Sequence, residues 1–123
     1  MAVRCVVPLL VALLGCQQNH GPTPAELTDR SWRAHAAVVA AGEAAKTCAE
    51  AGAAMQREFL ARRQAFVDAM ALDKDKAKLQ EATDFIEKNE GRYNDLETRM
   101  TALSERCADE PTVQAAFAQM SSP

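Results

Sequence analysis

Aromatic side chains are scarce in this 123-residue chain: one Trp, one Tyr and four Phe. Ala is abundant in their place, so the core of so small a domain is expected to be thin. Histidine is scarcer still. His20 and His35 lie too far apart for a local metal motif, and His35 has no second ligand three or four residues on. The methionines Met55, Met70, Met100 and Met120 form no cluster with histidine and are expected to fill core, not to bind copper. Also missing are a Gly-rich phosphate loop, a nucleophile elbow and a zinc helix motif. The carboxylates sit among Lys and Arg at helical spacing, the pattern of a solvated face. No catalytic residue, cofactor site or metal site is expected, and no small-molecule substrate. Nor is there a basic stripe: 14 basic residues are interleaved with 17 acidic ones, for a net charge of −3. That excludes nucleic acid as the expected partner.

The chain opens with a short positive segment, Met1 to Arg4, and an apolar run, Val6 to Leu14, interrupted by Pro8 and preceded by Cys5. This run is too short for a bilayer, which needs roughly 20 apolar residues. It ends in Leu13-Leu14-Gly15-Cys16. These residues resemble the lipobox of bacterial lipoproteins, although Leu14 is bulkier than the residue usual at its place. The resemblance covers residues 1–16 only. It implies a signal peptide over 1–15, cleavage between Gly15 and Cys16, and lipidation of Cys16, whose acyl chains hold the protein to a membrane. The other reading is an ordinary secretory leader in which Gly15-Cys16 is coincidence. Gln17 follows the cysteine, and the lack of Asp there, by the same resemblance, favours the outer membrane, facing the periplasm. Residues 16–22 are polar, end in Gly-Pro, and suit a flexible tether.

The remainder predicts an all-α fold. Thr23-Pro24-Ala25-Glu26 is a capping-box start with Pro at the first helical position. No proline follows until well past Leu72, and strong helix formers dominate, so a first helix over about 24–72 is expected. Such a rod would reach about 70 Å. Gly42 and Gly52 are places where it bends or breaks. Its seam is Val38, Ala41, Ala45, Cys48, Gly52, Met55, Phe59, Arg62, Phe66 and Ala69, with small residues that let backbones approach closely. The charged stretch 73–78 predicts the turn, with Asp73 or Asp75 as the next cap. Leu79, Ala82, Ile86, Asn89, Tyr93, Leu96, Met100, Leu103 and Cys107 then recur at steps of three and four, a heptad stripe for a return helix over about 76–107. Gly91 is its soft spot. Pro111 starts a short helix to about Met120.

In an exported chain, Cys48 and Cys107 are expected to pair. They are remote and apolar-flanked, unlike a redox motif. Opposing them places the midpoint between Ala77 and Lys78, inside the charged turn. The expectation is a long, coiled-coil-like antiparallel helical hairpin. Met55 faces Met100, Phe59 faces Leu96, Arg62 faces Tyr93 and Phe66 faces Asn89. The short C-terminal helix covers the first half of the first helix, with Val38 by Phe117 and Val113 by Ala41 or Gly42. The bridge closes a loop of about 58 residues, on the order of 4 kcal/mol in the chain-entropy picture.

Four side chains have two readings each. Asn89 either fixes register or sits half-exposed beside Gly91. Tyr93 either stacks with Arg62 or Arg63 or packs in the seam with a solvated hydroxyl. Trp32 either packs against the C-terminal segment or touches lipid or a partner. Phe85 and Leu60 are flank residues able to meet a protein partner or a second copy. The chain also resembles the small helical, peptidoglycan-linked outer-membrane lipoproteins. It ends in Ser121-Ser122-Pro123, without the C-terminal Lys that joins those proteins to the wall, so covalent attachment is not expected. The function expected is that of a non-enzymatic, lipid-anchored envelope protein, a spacer or protein-interaction module. The alternatives are an accessory subunit of a secretion or efflux assembly and, disfavoured by so Ala-rich a seam, a small lipid- or ligand-binding bundle.

Overall fold

A computed structural model describes residues 21–123. The leader, the Gly15-Cys16 junction, the lipidation expected at Cys16, and His20 lie outside the described residues. Those described are all-helical: α1 Pro24–Ala44, α2 Cys48–Met70, a 3-10 turn Ala71–Lys74, α3 Lys76–Lys88, α4 Glu90–Arg106 and α5 Pro111–Ser121. None of these helices is long and apolar enough to cross a membrane.

The helix starts follow local chemistry. Thr23 Oγ1 accepts from the Glu26 amide at 3.1 Å, and Glu26 accepts from the Thr23 amide at 3.1 Å. Asp75 accepts from the amides of Ala77 and Lys78. Glu110 accepts from the Thr112 amide, with Pro111 at the first helical position.

The expected first helix over 24–72 is two helices. It breaks at Ala45–Thr47, and neither glycine is the break. Thr47 Oγ1 accepts from the Glu50 amide at 3.1 Å and begins α2. Gly42 and Gly52 stay helical and buried, because neighbours crowd them. A Cβ on Gly42 would lie 2.7 Å from Leu103 Cδ2, and one on Gly52 would lie 2.6 Å from Thr112 Cβ and 3.0 Å from the Thr112 carbonyl carbon. The return helix is also split, at Asn89, whose backbone (φ −118°, ψ 26°) leaves the helix while its side chain donates to the Phe85 carbonyl at 2.8 Å. Asn89 is half-buried, as its second reading had it.

With both breaks in place the partners change. α1 folds back antiparallel on α2: Gly42 lies at Met55 and His35 at Phe66. α4 runs parallel to α1, with Arg92 on Asp29 at 2.8 Å and Arg99 on Glu43 at 2.6 Å. α5 runs parallel to α2, with Thr112 at Gly52 and Arg63 donating to the Pro123 carbonyl at 2.8 Å. The four long elements therefore alternate in direction, as in an up-down bundle, and α3 is the crossover. The facing pairs of a two-rod hairpin are not formed. Phe66 packs on His35 with ring centroids 4.5 Å apart, and Arg62 is exposed and paired with Glu58. α5 covers the second half of the expected first helix, not its first half.

Cys48 and Cys107 are nonetheless bridged, with Cα atoms 5.5 Å apart. α2 begins where α1 ends, and α4, parallel to α1, finishes at that same end. The core runs from Ala34 to Met120, with Val38, Val39, Ala51, Met55, Val113 and Ala116 fully buried. Residues 21–123 thus carry their own core and their own bridge.

Candidate binding cleft

At the end of the bundle away from the bridge, α3 lies across α1 without closing on it. Three helices present the same spacing to the space between them, i, i+3, i+4 and i+7, which is one face of a helix. From α1 come Thr28, Ser31, Trp32 and His35; from α3, Leu79, Ala82, Thr83 and Ile86; from α4, Tyr93, Leu96, Glu97 and Met100. Ala69, Leu72 and Asp73 close the end where α2 passes into the 3-10 turn. The cleft measures about 420 Å³, within the range of small-molecule pockets. Its presence corrects the expectation that an Ala-rich seam leaves no cavity. It also explains why Leu79 and Ile86, both on the heptad stripe, remain 41% and 40% exposed.

Polar groups are few and unevenly satisfied. Trp32 Nε1 and the Tyr93 hydroxyl are buried and have no hydrogen-bond partner. An indole N–H can only donate, and leaving it buried and unpaired costs about 1–3 kcal/mol. Burial pushes the Tyr93 phenol above its usual pKa. His35 Nδ1 lies 2.8 Å from the Ser31 carbonyl, which can only accept, so Nδ1 carries the proton and the neutral ring keeps Nε2 as an acceptor. Burial holds the pKa of His35 below its ordinary value, against the opposing effect of that bond.

One side of the cleft is tied by Arg92. Its guanidinium stacks 4.3 Å from the Trp32 ring centroid and 5.6 Å from that of Phe85, and its Nη2 donates to Asp29 at 2.8 Å. One side chain of α4 thereby touches α1 and α3 together. Asp29 also accepts from Arg33 at 2.8 Å. The two guanidiniums, Arg33 first, hold the Asp29 carboxyl below the usual range.

The side chains singled out in the sequence land unevenly. Trp32 is half-buried at the core edge, beneath Arg92 and not against α5. Tyr93 packs in the seam, but its hydroxyl is buried where solvent was expected. Met55 and Met120 fill core, while Met70 is 48% exposed and does not. Leu60 is 60% exposed and Phe85 half-buried. Among the described residues no three His, Cys, Asp or Glu side chains are grouped to hold a metal ion. The cleft itself was missed. Its signal is present: the stripe over Leu79–Ile86 has no apolar partner once the first helix turns back at Ala45. Set against family models, curated proteins and solved structures, the chain matches none.

Proposed function

We propose that the protein is a lipid-anchored, non-enzymatic binding module of the bacterial envelope. Acyl chains on Cys16 hold it at a membrane, the outer one facing the periplasm being favoured, and residues 16–22 tether a bridged helical bundle that binds a small apolar ligand. The observation that carries this reading is the cleft: a concave, mainly apolar space of about 420 Å³ with a few polar groups at fixed places. The bridge supports an oxidising compartment. The spacer reading weakens with the break at Ala45–Thr47. The longest helix has 23 residues, about 35 Å, half the reach of an unbroken rod.

Two measurements test the proposal. The intact mass of membrane-extracted protein, taken with and without reductant, should equal a chain beginning at Cys16 plus its acyl groups, and should rise by the hydrogens of one reduced bridge. A chain beginning at Cys16 without acyl groups overturns the anchor. Recovery of apolar small molecules with the purified bundle supports the cleft as a binding site, and a bundle that takes up none overturns it. A second reading, a protein-interaction surface or accessory subunit, is favoured by exposed Leu60 on α2 and Met70 at its end. Crosslinking in intact envelopes separates the two: a single stoichiometric protein captured through Leu60 supports the interaction surface, and none removes it.

A further inference from the structure

Resting on that reading, we propose that the cleft takes a single-chain amphiphile whose head is uncharged and carries an oxygen acceptor. Three observations point to this chemistry. The body of the cleft is hydrocarbon: Leu72, Leu79, Ile86, Leu96 and Met100 come from three different elements. Two of these are among the large apolar side chains the fold leaves most open to water, and both face this space. An alkyl chain laid there covers them.

The second observation is the pair of unpartnered groups. Trp32 Nε1 and the Tyr93 hydroxyl both belong to residues lining the cleft, and neither meets a protein acceptor. A hydroxyl, ester or ether oxygen on the ligand accepts from either and removes the cost of leaving them buried and unpaired. A pure hydrocarbon cannot, so the ligand carries a polar head.

The third is charge. Asp73 and Glu97 line the same cleft. The nearest cation, Arg92, is held by Asp29 at 2.8 Å and stacked on Trp32. A carboxylate or phosphate head entering here meets two like charges and no free cation. An uncharged head meets neither penalty.

Trp32 is the sole tryptophan of the chain, so its emission reports on the cleft without a label. Residues 21–123 with the bridge intact are titrated with monodecanoyl glycerol and separately with decanoate, both below their micelle concentrations. The expected result is a saturable shift of Trp32 emission by the glycerol ester, with decanoate at least tenfold weaker. Tyr93→Phe should weaken the ester at least threefold and leave decanoate unchanged. Ile86→Lys, at a position already half-open to water, should abolish the response to both while the helical circular dichroism is kept. Equal or tighter binding of decanoate overturns the head-group assignment and leaves the binding module standing. No response to either amphiphile overturns both. A response that survives Ile86→Lys places the ligand elsewhere and also overturns the proposal.

Discussion

The two ends of this bundle solve the same problem in opposite ways. At the bridged end helices meet through small residues: Gly42, Ala51, Gly52 and Ala116 are buried, and backbones come so close that a single added carbon at Gly52 would sit 3.0 Å from the Thr112 carbonyl carbon. At the other end the side chains are larger, yet Leu79 and Ile86 remain 41% and 40% exposed. Large apolar residues do not by themselves make a tight core. Close packing needs complementary surfaces on both sides, and α3, a crossover bound mainly along α1, lacks a second neighbour to complete its face. The bridged end is therefore where stability is concentrated, and the open end is where a ligand is accommodated.

The sharpest test of this contrast is the bridge. Replacing Cys48 and Cys107 together with Ser removes a crosslink between positions 59 apart in sequence. The chain-entropy account places the loss at about 4 kcal/mol. Urea unfolding should show the midpoint falling by the corresponding amount. If the loss is under about 1 kcal/mol, small-residue packing alone holds that end, and the comparison has to be redrawn.

How the sequence led to the bridge is instructive. All-helical character, the caps at Thr23 and Asp75, the restart at Pro111 and the pairing of Cys48 with Cys107 were all legible, because each depends on residues close in sequence or on the rarity of cysteine. The topology was not. A hairpin of two long rods and an up-down bundle with a crossover both bring residue 48 to residue 107, so the bridge could not choose between them. Two local signals decided it. Thr47-Cys48-Ala49-Glu50 has the pattern of a helix start, but it lay inside an Ala-rich stretch that already looked helical. Gly42 and Gly52 drew attention as breakers, whereas they are contact points within intact helices. The heptad stripe ran through Asn89 without a slip in spacing, and spacing does not show that the backbone turns there. The cleft follows from both breaks together, which is why neither stretch alone announced it.

Next in size is the crowding at Gly52. Gly52→Val should cost about 3 kcal/mol, since overpacking there pushes on the Thr112 backbone and not on a mobile side-chain tip. Gly91, which has nothing within 4 Å of an added Cβ, is the control: Gly91→Ala should be neutral or slightly stabilising by helix propensity. Thermal unfolding of the pair measures the difference. Equal effects at the two glycines would remove the claim that the bridged end is closely packed.

A smaller effect belongs to His35, at the inner edge of the cleft. Its folded pKa lies below the ordinary value of about 6.5, because burial disfavours the imidazolium. The unfolded chain then takes up the proton first. The stability conferred by a neutral His35 is whole above pH about 6.5 and is lost as pH falls through that value toward the depressed folded one. Asp29 and Glu43 have folded pKa values lowered from 3.8 and 4.5 by their arginine partners, so their contributions disappear only at still lower pH. Between pH 7 and 5 the wild-type chain should lose stability, and His35→Phe should flatten that slope while leaving the steeper acid limb below pH 4.5. An unchanged slope in the variant would mean that the ring is solvated in the folded protein.

The smallest expected effect is the most informative about the open end. Leu79→Lys replaces a seam residue of the heptad stripe, and in a closed hairpin it would bury a charge at a cost of several kcal/mol. At a position 41% open to water, the ammonium reaches solvent on its flexible stem, and the change in stability should stay within about 0.5 kcal/mol. Leu103→Lys, on the same stripe but 3% exposed and pressed on Gly42, should be severely destabilising. Two leucines of one heptad pattern, given the same substitution, would then differ by most of the protein's stability. Urea midpoints for both variants decide the matter. If Leu79→Lys proves as damaging as Leu103→Lys, α3 is packed against something along that face, and the cleft is closed in solution.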